Sequence, residues 1–341
     1  MKMALHTYWN SLSIIMLAFL LSANISCTKQ FDLEQPPVDS GYVFEEAWKR
    51  IDTRYSLFGT KNIDWQLIHD AYKSRIRSGL TENELFELIA EMLMELKDGH
   101  VALSKSSRTS AYDQFYTSFS TNFNWQNILL KYLGNQIDNI GPFIFKAGDG
   151  VSYIRYASFN DDFTEEQLDN LMDKISSQRG IILDLRHNMG GNLNNAARLF
   201  SRFADTTTLV KYTQEKSGSG HNDLGKPIPY HVEKKGFPYT GKIIILTNRR
   251  CFSACNEFIL YMSELPRVKL LGDRTGGGSG LPEEFILANG WILRYPSSHS
   301  LSVRKEYVED GIEPDIVAEI SSVDEYNGRD PILERAIAEM Q

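Results

Sequence analysis

Lys-Ile-Ile-Ile-Leu-Thr-Asn-Arg-Arg-Cys-Phe-Ser-Ala-Cys-Asn-Glu-Phe, residues 242–258, joins a strand pattern to a helix pattern. The β-branched run at 243–246 predicts a buried strand, and residues 258–262 continue as a helix. Ser253 lies at the junction, where unpaired backbone N–H groups and the positive end of the helix dipole stabilise negative charge. Ser253 is therefore either a helix cap, the commoner role of such a serine, or a nucleophile beside an oxyanion site.

The alternation of strand and helix patterns extends over residues 143–341 and predicts an α/β core with parallel strands. Asn289-Gly290 is a strong hairpin turn signal between apolar runs at 284–287 and 291–295. The other predicted strands are 143–147, 151–157, 181–185, 209–212 and 268–271, and the predicted helices are 165–175 and 193–203. Residues 214–239 form a polar loop that could line a substrate cleft.

Residues 41–100 have helical patterns and predict an N-terminal helical subdomain. Ser40 and Asp64 are the expected caps of its first two helices, and Thr81 with Glu84 forms a capping box before the third. The connecting segment 101–142 is rich in Ser, Thr, Asn and Tyr, and its pattern predicts no particular element.

The first 26 residues have the character of a signal peptide. A short basic start precedes an apolar stretch at 12–21 that is too short for a membrane anchor. A small residue stands directly before Cys27, as in bacterial lipoprotein signals, so Cys27 is expected to be acylated and residues 27–40 to form a tether. The predicted location is the cell envelope, with a lipid anchor in a bacterial membrane; a plain secretory signal is the alternative.

Composition excludes several partners and cofactors. Lys plus Arg total 36 against 44 Asp plus Glu, with no basic run, which argues against nucleic acid as a partner. Cys251 and Cys255 flank Ser253 at a spacing that matches no zinc pattern. We expect both to be small buried residues rather than a strained disulfide. No metal ion or other cofactor is predicted.

Three further segments carry candidate chemistry. His100 follows a glycine just past a helix pattern and is a candidate general base, although a structural histidine is commoner. Gly190 and Gly191 follow the strand at 181–185 and could offer backbone N–H groups to an anion, or could simply make a tight turn. Glu309 lies in a turn before the last strand, where acidic residues are ordinarily solvated.

Taken in order, five motifs resemble those of the tail-specific, or carboxy-terminal processing, serine proteases and of the related tricorn protease core. They are Leu-Lys-Asp-Gly-His, Leu-Asp-Leu-Arg-x-Asn-x-Gly-Gly, Ser-Ala-x-x-Glu-Phe, Gly-Asp-Arg-Thr-Gly-Gly-Gly and Gly-Ile-x-Pro-Asp-Ile, and they extend over about residues 40–320. The resemblance implies a crotonase-like β/α core with Ser253 as nucleophile. It also implies an oxyanion hole made by the N–H of Ala254 and one from Gly190 or Gly191.

The chain departs from the common processing proteases in two places. The lysine base of those enzymes has no counterpart in residues 272–280, and Arg274 does not deprotonate in proteins. The resemblance to the tricorn-like branch instead implies His100 as base and Glu309 as its partner, with Gly99 where that branch has a serine. His187 is a weaker candidate base. Residues 101–142 are also too few for the PDZ domain that the family usually carries.

Three functions remain open from the sequence. The first is a lipid-anchored serine endopeptidase that acts on peptides or unfolded proteins without a metal. The second is a non-catalytic protein that binds a peptide or an apolar ligand on the same fold. The third, a coenzyme A-dependent enzyme of the crotonase type, leaves the serine and the histidine unexplained.

Overall fold

The computed structural model describes residues 39–341. The predicted signal peptide, Cys27 and the tether up to residue 38 lie outside the described residues. In the described part of the chain, no helix combines the length and the apolar character that crossing a bilayer needs.

Four helices form the N-terminal part: α1 (Ser40–Arg54), α2 (Phe58–Lys61), α3 (Trp65–Lys73) and α4 (Glu82–Met94). The predicted capping of α1 by Ser40 was wrong, because Asp39 caps it by accepting a 3.0 Å hydrogen bond from Tyr42 N. Aspartate caps helices about as well as serine, so the sequence alone does not show which of the two adjacent residues, Asp39 or Ser40, is the cap. The Asp64 cap of α3 and the capping box before α4 are confirmed.

The connecting segment is more ordered than the sequence indicated. It contains the strands β1 (Ala102–Lys105), β2 (Arg108–Ala111) and β3 (Asp138–Ile140), the short helices α5 (Gln114–Thr117) and α6 (Trp125–Asn127), and a π-helix at Ile128–Leu133. Elements of three to six residues are too short to show a hydrophobic period, which is why the segment looked featureless.

The rest of the chain alternates strands and helices as expected. Its strands are β4 (Phe143–Lys146), β5 (Val151–Tyr156), β6 (Gly180–Asp184), β7 (Thr208–Glu215), β8 (Ile228–Val232), β9 (Lys242–Thr247), β10 (Val268–Gly272), β11 (Pro282–Ile286), β12 (Ile292–Pro296), β13 (Ser298–Leu301) and β14 (Ile316–Val317). Its helices are α7 (Glu165–Ile175), α8 (Leu193–Ser201), α9 (Ala254–Met262), α10 (Ser322–Tyr326) and α11 (Pro331–Glu339).

The predicted loop at 214–239 contains a strand that the sequence analysis missed. Within it, β8 pairs with β7 in an antiparallel manner and forms the edge of a three-stranded sheet ordered β13-β7-β8. Pro229 interrupts the apolar pattern of β8, and proline within a sheet is confined to edge strands such as this one.

A seven-stranded sheet ordered β14-β10-β9-β6-β5-β4-β3 forms the centre, parallel from β14 to β5. Ile181 and Ile243 pack on the side of α7, α8 and α9, while Ile182 and Ile244 pack on the side of the π-helix and α11. Because both faces are covered, the strands read as continuous apolar runs. The adjacent β6 and β9 end at the same edge, so the loops that follow them, which carry the double glycine and Ser253, lie side by side.

An antiparallel sheet ordered β11-β12-β1-β2 joins the N-terminal part to the core. Its β11–β12 hairpin is the one predicted around Asn289-Gly290, and β1 begins two residues after His100. This pairing ties the segment that carries His100 to the strands that follow the Ser253 helix.

Candidate active site

Ser253 stands at the N-terminus of α9 in an unusual backbone conformation. Its φ of 56° and ψ of −124° are sparsely populated for a residue with a side chain. Its N–H donates a 2.9 Å hydrogen bond to Gly277 O, which holds the turn, while its side chain makes no capping hydrogen bond. The hydroxyl is therefore left for another partner, and the capping interpretation does not describe what it does.

That partner is His100. The distance from Ser253 Oγ to His100 Nε2 is 2.9 Å, within the range that proton transfer between a nucleophile and its base needs. The imidazole is buried and packs against the ring of Phe252, with the ring centroids 4.7 Å apart. The structure thus brings together two residues that are 153 positions apart in the chain.

Asp98 fixes the backbone of His100, a role that the sequence analysis did not assign. One carboxylate oxygen of Asp98 accepts a 2.7 Å hydrogen bond from His100 N, and the other accepts a 2.8 Å hydrogen bond from Tyr55 O–H. All three residues are buried. An acidic residue two positions before the histidine was the available signal, but only the fold shows that Tyr55 of α1 completes the arrangement.

Burial keeps the His100 ring neutral. Removal from water lowers the pKa of His100 to about 4, with Arg294 and Lys61 acting in the same direction and Asp98 opposing them. A neutral imidazole has one unprotonated nitrogen, and in the tautomer that carries its hydrogen on Nδ1, Nε2 is able to accept the serine proton.

Glu309 is buried rather than solvated, but it does not hydrogen-bond to His100. Glu309 Oε2 accepts hydrogen bonds from Ser279 N at 2.8 Å and from Ser279 Oγ at 3.0 Å, and Oε1 lies 3.7 Å from Lys61 Nζ. Burial, reinforced by the charge of Asp98, raises the pKa of Glu309 to about 8. His100 Nδ1 has no hydrogen-bond partner among residues 39–341. The described contacts of Glu309 therefore include no direct hydrogen bond to His100, and the partnership implied by the family resemblance is not a direct one.

The glycine-rich loop after β10 links the Glu309 segment to Ser253. Gly277 has a φ of 76°, and a Cβ atom there would lie 1.7 Å from Glu309 O. The same residue accepts the hydrogen bond from Ser253 N, and Gly278 N donates a 2.9 Å hydrogen bond to Glu309 O. A side chain at position 277 would force the glycine-rich loop and the Glu309 segment apart, so this position has to be glycine.

The turn after β6, which carries Gly190 and Gly191, brings backbone amides close to Ser253. A Cβ atom on Gly190 would lie 2.8 Å from Ala254 N, so this turn and the start of α9 are in direct contact. Gly190 N already donates to Asn188 Oδ1 at 2.9 Å, whereas Gly191 lines the same cavity as Ser253. In residues 39–341, Ala254 N and Gly191 N have no hydrogen-bond acceptor, so both amides are available to an oxyanion.

The cavity beside Ser253 has a volume of about 370 Å³ and a polar floor. Glu257 and Tyr261, one and two turns further along α9, line it together with Lys211 of β7. Lys211 Nζ lies 2.9 Å from a carboxylate oxygen of Glu257 and donates a 3.0 Å hydrogen bond to Ser300 Oγ. The cavity is large enough for an amino-acid side chain and ends on a buried, mutually neutralised ion pair.

Gly99 is explained by the aromatic residues around it. A Cβ atom at position 99 would lie 2.6 Å from a ring carbon of Phe115 and 2.9 Å from a ring carbon of Phe252. The two rings stack with centroids 4.6 Å apart. Phe115 belongs to the connecting segment, so that segment occupies the space that a side chain at position 99 would need.

Gly99→Ser is accordingly expected to destabilise the chain by about 1–3 kcal/mol, because overpacking displaces Phe115 or Phe252. Urea unfolding would measure the loss, and Gly225→Ser is a matched control, since a Cβ atom there would lie 3.5 Å from its nearest neighbour. Combining Gly99→Ser with Phe115→Ala should cost less than the sum of the single changes. Full additivity would contradict the contact.

The remaining candidates lie apart from the serine. His187 packs against the ring of Phe123, and burial lowers its pKa to about 4, but its Nε2 forms no hydrogen bond with Ser253. Cys251 and Cys255 are buried free thiols, as expected, and not a disulfide. In the described residues, no three His, Cys, Asp or Glu side chains converge as they would to hold a metal ion.

Comparison with known protein families gives two matches. The model for peptidase family S41 matches residues 150–318, which include Ser253 and both glycine loops. The model for the tricorn protease C1 domain matches residues 36–94, the helical part.

Individual proteins give the same result. A candidate peptidase from Parabacteroides merdae, known as a crystal structure, is 37% identical with a TM-score of 0.84, over 89% of this chain and 96% of that one. Tricorn protease from Thermoplasma acidophilum is 29% identical over 165 residues, and carboxy-terminal processing protease CtpA from Bacillus subtilis is 24% identical over 175. The matches cover 48% and 50% of this chain but 14% and 36% of those proteins, so the chain matches only a part of each. The predicted α/β fold is confirmed.

Proposed function

This chain belongs to peptidase family S41, and from that premise we propose that it is a serine endopeptidase with Ser253 as nucleophile and His100 as general base. The observation that carries the proposal is the 2.9 Å distance between Ser253 Oγ and His100 Nε2 in a buried site. Family membership removes the coenzyme A-dependent alternative. The substrates proposed are peptides and unfolded proteins.

In the first half of the reaction, Ser253 Oγ attacks the peptide carbonyl carbon while His100 Nε2 takes the hydroxyl proton. The carbonyl oxygen becomes an oxyanion, which the N–H of Ala254 and an N–H of the glycine turn stabilise. Gly191 is the better donor of the two glycines because the Gly190 amide is already engaged. The imidazolium then gives its proton to the departing amine, which leaves an acyl-enzyme.

Water completes the reaction. His100 takes a proton from the water as its oxygen attacks the acyl carbon, and then returns the proton to Ser253 Oγ, which releases the carboxylic acid product. Glu309 acts from a distance: its hydrogen bonds hold Ser279 at the edge of the cavity.

The proposal is tested by incubating the purified chain with an unfolded protein, with and without prior treatment by a fluorophosphonate. We expect steady cleavage that the treatment abolishes. Binding of the unfolded protein without any cleavage would instead support the non-catalytic alternative. That alternative draws on one observation, the lack of a hydrogen-bond partner for His100 Nδ1.

The pH dependence follows from the burial of His100. Protonation removes the base, so kcat/KM should fall on the acid side with a midpoint near the lowered pKa of His100, about 4. Above that fall, kcat/KM should stay level up to neutral pH. The measurement uses an uncharged peptide, with a return to pH 7 after each acid exposure to separate titration from unfolding. A reversible midpoint near 6.5, the ordinary value for histidine, would contradict a buried neutral ring.

We further propose that the chain is exported and anchored at the cell envelope through an acylated Cys27. The support is the sequence pattern before that residue. Expression in a bacterium supplied with labelled palmitate should label the unaltered chain and not Cys27→Ser. Equal labelling of both would contradict the anchor, and the peptidase proposal does not depend on it.

A further inference from the structure

We propose that Arg294 anchors a carboxylate group of the bound peptide beside Ser253. This inference rests on the proposed peptidase function and adds a substrate class to it. The carboxylate can belong to an acidic side chain near the cleaved bond or to the carboxyl terminus of the peptide.

The position of Arg294 places it at the reacting groups. It lies on β12, where its backbone is directly opposite Ala102 of β1, the second residue after His100. Its side chain lines the same 370 Å³ cavity as Ser253. Its charge also reaches the imidazole, because it is one of the groups that lower the pKa of His100.

Arg294 has no anionic partner of its own. Arg50 and Arg54, which contact the same sheet, both pair with Glu283. Among residues 39–341, Arg294 forms neither an ion pair nor a hydrogen bond through its side chain. Glu284 is directly opposite it on β11 but does not come within ion-pair distance and does not line the cavity.

The other charges of the cavity do not compete for the same role. Lys211 and Glu257 neutralise each other at the floor, with side chains only 9% and 3% exposed. Glu215 lines the cavity too, but it is not among the groups that act on the pKa of His100, whereas Arg294 is. Arg294 is therefore the unpaired cation near the reacting atoms.

A guanidinium group is suited to carboxylate recognition because its planar N–H donors match the two oxygens in a bidentate arrangement. A hydrogen bond to a charged group contributes about 1.5–3 kcal/mol, which corresponds to roughly a tenfold or larger preference for the charged ligand. A peptide carboxylate at this site would thus decide which bonds are cleaved.

The test compares kcat/KM for peptides that differ in one group. One pair of peptides carries glutamate or glutamine at a position near the cleaved bond, and a second pair has a free or an amidated carboxyl terminus. We expect the unaltered chain to favour the carboxylate in at least one pair by roughly tenfold or more. In Arg294→Gln that ratio should fall towards one, mainly through KM, and Arg294→Lys should retain part of it. Whichever pair loses its preference identifies the source of the carboxylate.

Arg108→Gln is the matched control. It removes an equal charge from an exposed position on the same sheet, where Arg108 already pairs with Glu87 and does not line the cavity, so the ratio should stay unchanged. A ratio near one in the unaltered chain, or a preference that survives Arg294→Gln, would overturn the inference. Absence of all hydrolysis and of fluorophosphonate labelling would instead reject the peptidase function on which it rests.

A second readout separates anchoring from a merely structural effect. His100 senses the charges of Asp98, Arg294 and Lys61, so loss of the Arg294 charge should move the acid limb of kcat/KM to higher pH. A structural defect would lower activity without moving that midpoint. An unmoved midpoint in Arg294→Gln would show that Arg294 does not lie close enough to the imidazole to serve as the anchor.

Discussion

Ser253→Ala is expected to lower kcat for peptide hydrolysis by roughly 10⁴-fold or more, because it removes the atom proposed to form the acyl-enzyme. The oxyanion amides and the cavity remain, so peptide binding should persist. The fold should survive as well, since the hydroxyl makes no capping hydrogen bond and the turn is held by the backbone of Gly277. The measurement is the initial rate of peptide cleavage, with urea unfolding of the same samples.

Ser263→Ala provides the matched control for that change. Ser263 caps the other end of α9, and its hydroxyl bonds only to Ile259 O, away from the cavity. Its removal should leave the rate unchanged. If Ser253→Ala keeps a rate within tenfold of the unaltered chain, Ser253 is not the nucleophile.

His100→Gln should lower kcat by roughly 10³-fold or more, because a positioned general base contributes about 10²–10⁴ to such reactions. The hydrogen bond from the backbone of residue 100 to Asp98 does not depend on the side chain, so the loop should keep its place. Cleavage by the variant should rise with added hydroxide, since solvent base then removes the serine proton. The measurement is kcat as a function of pH up to alkaline values.

His187→Gln is the control histidine for this prediction. It is also partly buried with a pKa lowered to about 4, and it lies beside the glycine turn, but its Nε2 forms no hydrogen bond with Ser253. We expect it to retain nearly full activity. Equal losses from the two substitutions would mean that His100 has no special role. Glu309→Gln should lie between them, because Glu309 acts without contacting the imidazole.

The sequence predicted those parts of the fold in which the local pattern of residue types determines the local secondary structure. The buried strands β6 and β9, the helix α7 and the hairpin at Asn289-Gly290 have strong local patterns, and each lies within one or two residues of its predicted place. The order of the five motifs also predicted that Ser253 and His100 meet. These features depend on periodicity, turn chemistry and family resemblance, all of which are visible in the linear sequence.

The features that the sequence did not predict depend on contacts between distant segments. Phe115 packs on Gly99 from an irregular segment, and Tyr55 supports Asp98 from the first helix. Neither contact leaves a local pattern. The burial of Glu309 and its bond to Ser279, rather than to His100, likewise follow from the path of the glycine-rich loop. The sequence does not distinguish Arg294 from other arginines, because an exposed arginine on a short strand is ordinary until its neighbours in the fold are known.

The most direct test of the pairing of Ser253 with His100 is the site and rate of fluorophosphonate modification. The purified chain and His100→Gln are reacted under the same conditions, and mass spectrometry of their peptides locates the modified residue. We expect one modified residue, Ser253, and a reaction roughly 10³-fold slower without the histidine. Modification of a different residue, or an equal rate in the two proteins, would contradict the account.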